Sequence, residues 1–201
     1  MSLEVRSYFR PNESRAEFLS LLEFPRRIEL EVGSGKGLFL IEAAARQPGV
    51  FFIGVELADK YARLAQQRLE SRAVGNARCF SADAVEIMCR DVPENRLDAV
   101  HVYFPDPWWK ARHKKRRVLN ERMVVAIERA LIPGGYLHFW TDVLDYYESS
   151  LQLLAQATKL QGPDFVEERS AEHAMDYHTH FERRTRLNGL PVYRSRFRKP
   201  V

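Results

Sequence analysis

The chain is poor in the features that define several large classes. Its 201 residues hold only two cysteines, Cys79 and Cys89, with no Cys-x-x-Cys spacing. That excludes a disulfide-stapled scaffold and a zinc ribbon, and a reduced, cytoplasmic setting is expected. No stretch approaches the roughly 18 apolar residues of a membrane span. The opening MSLEVRSYFRPNESR lacks the apolar core of a signal peptide. Internal repeats, low-complexity tracts and linkers are also missing, so one domain is expected, long enough to bury a core without staples. The histidines are few, and the His178-x-His180 pair with His173 and Asp176 nearby falls short of a defined ligand set, so no metal is expected.

What is present is alternation. Apolar strand patterns at Arg27–Val32, Val50–Leu57, Ala77–Ser81, Leu97–Phe104 and Tyr136–Thr141 alternate with helical periodicity at Leu38–Gln47, Ala58–Ala73, Ala84–Asp91, Glu121–Leu131 and Val143–Ala157. This predicts an α/β fold, a mostly parallel sheet with helices on both faces and functional loops at the carboxyl ends of the strands. Ser14–Glu23 reads as a short helix in an N-terminal segment, 1–26, ahead of the main domain, 27–201. The less regular C-terminal part is expected to hold a short helix near His178–Arg186 and an antiparallel last strand at Pro191–Arg198.

The first strand runs into EVGSGKG, with glycines at 33, 35 and 37. A dinucleotide fingerprint needs another glycine where Leu38 stands. A P-loop needs its lysine beside a Ser or Thr at the helix start, and Lys36 lies inside the loop. Acids sharpen the reading. Glu31, Glu56, Asp83 and Asp106 each stand at or just beyond the end of one of four successive strands. Four carboxylates on one sheet edge suit a ligand with hydroxyls, amines and positive charge, and suit a polyphosphate badly. S-adenosylmethionine carries a sulfonium, an amino group, a ribose diol and an adenine amine, all of which carboxylates favour.

The stretch VYFPDPWWKARHKKRRV places Asp106 between Pro105 and Pro107, which fix the backbone on either side. Two tryptophans and a basic run follow, with six of the eight residues from Lys110 to Arg117 being Lys or Arg. The basic run fits phosphate contacts, which position a nucleic acid rather than read it. Trp108 either stacks a base, a contact worth about 1–3 kcal/mol, or caps the core. Arg194, Arg196 and Arg198 alternate, as either a phosphate stripe or a charged edge that discourages sheet pairing.

Taken together, the EVGSGKG, GVEL, ADA and FPDPWWKARHKKRR blocks, with TD and T-x-F-E-R downstream, resemble the bacterial tRNA (guanine-N7)-methyltransferases from about Arg27 to Arg198. The resemblance implies a Rossmann-like class I methyltransferase domain. It also implies methyl transfer from S-adenosylmethionine to N7 of a guanine in the tRNA variable loop. By the same resemblance Glu31, Gly33, Gly35, Glu56, Asp83, Ala84 and Asp106 contact the cofactor, and Asp106 is catalytic. Lys110, Asp142, Thr179 and Glu182 bind substrate, and Arg112, Lys114, Lys115, Arg116 and Arg117 contact RNA. Because guanine N7 has a lone pair and no proton, Asp106 is expected to orient guanine or the cofactor's amino group rather than remove a proton. The short N-terminal extension and the second tryptophan, Trp109, depart from the family pattern. Competing readings are methylation of an exocyclic base amine, a non-catalytic RNA-binding module and an NAD-dependent oxidoreductase. The state of assembly, monomer or homodimer, is left open.

Overall fold

The computed structural model of the chain describes residues 8–10, 13–168, 177 and 179–201. Seven strands, β1 (Arg27–Val32), β2 (Val50–Glu56), β3 (Ala77–Ser81), β4 (Leu97–Tyr103), β5 (Leu131–Thr141), β6 (Gln161–Phe165) and β7 (Tyr193–Arg198), form one sheet in the order β3-β2-β1-β4-β5-β7-β6. The first five pair in parallel, and β7 runs antiparallel to both β5 and β6. The helices are α1 (Arg15–Glu23), α2 (Leu38–Arg46), α3 (Asp59–Ser71), α4 (Ala84–Arg90), α5 (Glu121–Ala130), α6 (Leu144–Ala157) and α7 (His180–Leu187), with a 3-10 helix at Ala111–Arg116.

Period-two patterning divides the core between the two faces of the sheet. Ile28, Leu30 and Val32 of β1 and Ile53 and Val55 of β2 pack with Phe18 of α1, Ile87 of α4, Ile127 of α5 and Tyr146 of α6. On the other face Phe52 and Cys79 meet Leu40 of α2 and Ala62, Ala65 and Leu69 of α3. The small residues let α3 press against the glycine loop: a Cβ on Gly37 would stand 2.8 Å from that of Ala65. The N-terminal segment joins the same core. Phe18 is fully buried edge-on to Phe80 at 5.4 Å, and Arg15 reaches Asp91 at 2.7 Å.

One expectation is corrected, and one strand was not foreseen. The fifth helix ends at Ala130, and β5 begins at Leu131, so Pro133-Gly134-Gly135 lies inside a strand rather than in a turn before it. The register against β4 shifts between Leu97 and Ala99, the mark of a bulge. A Cβ on Gly135 would stand 3.0 Å from the Asp98 carbonyl, so a glycine is needed where the bulged strand meets its neighbour. The strand β6, GPD at its centre, has no apolar alternation to announce it. It is exposed throughout and pairs on one side only, where proline is tolerated.

From β1 the chain steps outward to β2 and β3, then returns to β4 on the other side of β1. The loops leaving β1 and β4 therefore part to opposite faces and open a crevice at the carboxyl edge, where ligands bind in such sheets.

Candidate active site

The four acids lie along that edge. The register pairs Glu31 with Gly54 and Glu56 with Ser81, Asp83 follows two residues after Ser81, and Asp106 lies three beyond the end of β4. Their settings differ. Glu31 is 3% exposed, and its Oε2 has no hydrogen-bond partner among the described residues. Burial pushes its carboxyl up to about 8; the Ser34 hydroxyl opposes the shift and the charge of Glu56 adds to it. Glu56 braces the loops: its Oε2 accepts the Gly35 N–H at 2.9 Å and its Oε1 that of Ala58 at 2.8 Å. Asp83 caps α4, accepting from the N–H groups of Val85 at 2.9 Å and Glu86 at 3.3 Å, and Ala84 opens that helix. Asp106 is exposed.

The glycine loop leaves room beside these acids. Gly35 has φ +52°, and no atom lies within 4 Å of where a Cβ would stand on it or on Gly33, so a ligand can approach the backbone there. Beneath the loop a Cβ on Gly54 would lie 2.5 Å from the Ser34 hydroxyl, which seats the turn directly on β2.

The Pro-Asp-Pro corner is bounded by left-handed residues, Phe104 at φ +48° and Trp108 at φ +45°. Non-glycine residues in that region hold local strain that the surroundings must maintain. Part of the restraint is Arg117. Grouped by sequence with the RNA-contacting residues, it is buried instead. Its Nε donates to the Pro107 carbonyl at 2.8 Å, one terminal nitrogen to Ser149 Oγ at 2.9 Å and the other to Asp145 at 2.7 Å, and its guanidinium lies 4.3 Å from the Tyr146 ring centre. Lys114 also bonds Asp145, at 3.0 Å to both oxygens. These two cations hold the Asp145 carboxyl below its usual range.

Other members of the basic run face outward. Lys110, Arg112, Lys115 and Arg116 are exposed, and Arg116 stacks 5.0 Å over Trp108. Trp108 is also edge-on to His113, whereas Trp109 is 70% exposed. Asp142, half-buried, follows β5 directly. Thr179 caps α7 by accepting from the Glu182 N–H at 3.0 Å.

Glu182 lies deeper. Expected to face substrate, it is 2% exposed, with its carboxylate 3.1 Å from Arg194 and 3.4 Å from Arg186. It fastens α7 to β7. The alternating arginines of β7 likewise act within the protein: Arg194 is buried in that cluster, and Arg196 pairs with Asp164 at 3.1 Å and stacks over Tyr136. Among the described residues no three His, Cys, Asp or Glu side chains gather as a ligand set, and His173, Asp176 and His178 lie outside those residues.

Sequence reasoning also missed a buried polar chain. His101 contacts Glu29 at 2.8 Å and the Tyr103 hydroxyl at 2.9 Å, and stacks on His138 at 4.8 Å. The available signal was polar residues at period two inside otherwise apolar strands, Glu29 in β1 and His101 in β4.

Comparison with known proteins places the chain among methyltransferases. A family profile described as a putative methyltransferase matches residues 25–195. A tRNA (guanine-N(7)-)-methyltransferase of Rhodopirellula baltica is 47% identical over 178 residues, covering 86% of this chain and 66% of that protein. One of the same name from Alkalilimnicola ehrlichii is 36% identical over 173 residues, covering 85% of this chain and 71% of that protein. Among solved structures, a precorrin-6y C5,15-methyltransferase from Geobacter metallireducens covers 92% of this chain and 88% of its own at TM-score 0.61 and 19% identity. A tRNA (m1A58) methyltransferase from Aquifex aeolicus covers 92% and 67% at TM-score 0.53 and 17% identity. At those identities the structural matches establish the fold.

Proposed function

The chain belongs to the bacterial tRNA (guanine-N7)-methyltransferase family, and from that premise we propose that it transfers a methyl group from S-adenosylmethionine to N7 of a guanine in the tRNA variable loop. The observation that carries the reading is 47% identity over 178 residues with a tRNA (guanine-N(7)-)-methyltransferase. The carboxylate edge is in keeping with it, and neither an exocyclic amine methyltransferase nor a non-catalytic RNA-binding module is favoured by these relatives.

The residues present fit the cofactor. The unpartnered Glu31 oxygen is a buried acceptor waiting for a cationic or hydroxyl donor. Glu56 keeps lone pairs for hydroxyls beyond the two backbone N–H groups it already accepts. Gly33 and Gly35 leave open space for close backbone approach, and Asp83, Ala84 and Asp106 complete the rim. Bound there, S-adenosylmethionine supplies an electrophilic methyl group on a positively charged sulfur.

The chain's own task is alignment. Guanine N7 needs no deprotonation, so positioning can account for much of the rate. In this reading Asp106 orients guanine or the cofactor's amino group and favours the positive charge that builds on the base. Lys110, Asp142 and Thr179 border the substrate. Arg112, Lys114, Lys115 and Arg116 hold the phosphate backbone, Lys114 by exchanging Asp145 for a phosphate. The exposed face of Trp109 is the better placed of the two indoles to stack a base.

The reading places the protein in the cytoplasm, in keeping with two free cysteines. Among the described residues no helix is long and apolar enough to cross a membrane. Incubation with labelled S-adenosylmethionine and unmodified tRNA, followed by mapping of the modified nucleoside, tests the proposal. Label recovered as 7-methylguanosine in the variable loop supports it, and label on an exocyclic amine overturns it.

A further inference from the structure

A second group of cations lies at the cofactor mouth, away from the basic flap. Lys36 projects from the glycine loop, Arg68 from α3 and Arg183 from α7. Arg68 donates to the Lys36 carbonyl at 3.1 Å, which joins α3 to the loop. Phe181, in the first turn of α7, stacks on Phe104 at 6.4 Å, which places that turn beside the residue leading into Pro105-Asp106-Pro107. His180, in the first turn of α7, feels the charge of all three cations. Its pKa is pushed below the ordinary value by burial first, then by the charges of Arg68, Lys36 and Arg183.

Among the described residues Lys36, Arg68 and Arg183 make no ion pair, although other surface arginines do: Arg63, on the same helix as Arg68, meets Asp59 at 2.9 Å, and Arg90 and Arg122 both reach Glu86. Like charges held together cost free energy in the isolated protein, and a polyanion relieves that cost on binding. The three cations come from three elements and lie open to solvent or half-buried rather than enclosed. That arrangement fits an extended phosphodiester backbone better than a small anion, which needs a closed cradle.

We propose that Lys36, Arg68 and Arg183 form a second phosphate-binding surface for the RNA, on the glycine-loop side of the cofactor mouth, so that the substrate is gripped on both sides of the guanine being modified. This rests on the RNA substrate proposed above. With anchors on both flanks the base cannot pivot about the flap alone, so the surface contributes orientation as well as affinity.

The test measures tRNA affinity against salt concentration for the parent protein, Arg183→Gln and Arg183→Lys, with S-adenosylmethionine titration and thermal unfolding as controls. Arg183→Gln is expected to weaken tRNA binding and to lower the slope of log affinity against log salt by about one. Arg183→Lys keeps the charge and should retain the slope, and cofactor affinity should be unchanged in both. Arg68→Gln should lower the slope in the same way. Undiminished slopes in Arg183→Gln and Arg68→Gln overturn the second surface while leaving the proposed function standing. A parent protein that neither binds nor methylates tRNA removes the RNA reading itself, and this inference with it.

Discussion

In the proposed cofactor site Glu31 sets stability against ligand binding at a single residue. Burial holds its carboxyl at about 8, far above the ordinary 4.5. The folded state therefore keeps a proton that the unfolded chain releases, and stability from this group falls as pH rises from about 4.5 to about 8. Glu31→Gln removes that dependence. The ligand-free variant should be more stable than the parent by roughly 5 kcal/mol at pH 9, and little changed at acid pH, in thermal unfolding. The same substitution should abolish cofactor binding. In the parent, affinity for S-adenosylmethionine should climb as pH passes through about 8, because a cationic ligand favours the ionised carboxylate; calorimetric titration on either side of that value reads it. Asp106 makes the opposite case. It is exposed, and under the proposed function its role is alignment, so Asp106→Asn should lower single-turnover methyl transfer by about 10²-fold with little change in folding. Nearly full turnover with unchanged affinities would remove it from the reaction.

Among the elements, the Pro105–Arg117 flap depends most on a side chain that its sequence disguises. Six basic residues in eight read as a phosphate surface, and composition cannot separate those facing water from the one turned inward. Arg117 turns inward because Pro107 leaves a carbonyl needing a donor and α6 offers Ser149 and Asp145 within reach. Arg117→Met should cost about 2 kcal/mol, since Asp145 is half-exposed and is not left as a buried charge. It should also let the corner relax from its left-handed residues, seen as faster amide exchange across 104–117 and a lower turnover at unchanged cofactor affinity. The N-terminus of α7 was legible in part. Thr-x-x-Glu was picked out, but the pattern reads equally as a capping box or a ligand pair, and here Thr179 caps while Glu182 joins a buried ion cluster.

For the whole molecule, a net charge of +4 understates the field around the cofactor mouth. Around that mouth Glu31 is buried and Glu56 is tied to the loop backbone, while among the described residues Lys36, Arg68 and Arg183 make no ion pair. Binding of tRNA should therefore fall steeply with salt, with a log–log slope of about −3 or steeper from four or more phosphate contacts. A flat response in filter binding would deny the flap a phosphate role.

Strand and helix alternation, the glycine turn and the acids at four strand ends were settled by local order along the chain. Hydrophobic period, turn chemistry and the direction of a parallel strand are properties of neighbours in sequence. The family resemblance rests on the same local blocks. Tertiary structure alone decided which of those polar groups reach solvent. Arg117 and Glu182 are buried, one Glu31 oxygen has no partner among the described residues, β5 runs through its glycines, and Lys36, Arg68 and Arg183 come together from distant elements. The physical reason is that charge and hydrogen bonding act through space: a side chain's role depends on which donors and acceptors the folded chain brings within a few ångströms of it, and sequence spacing does not record that.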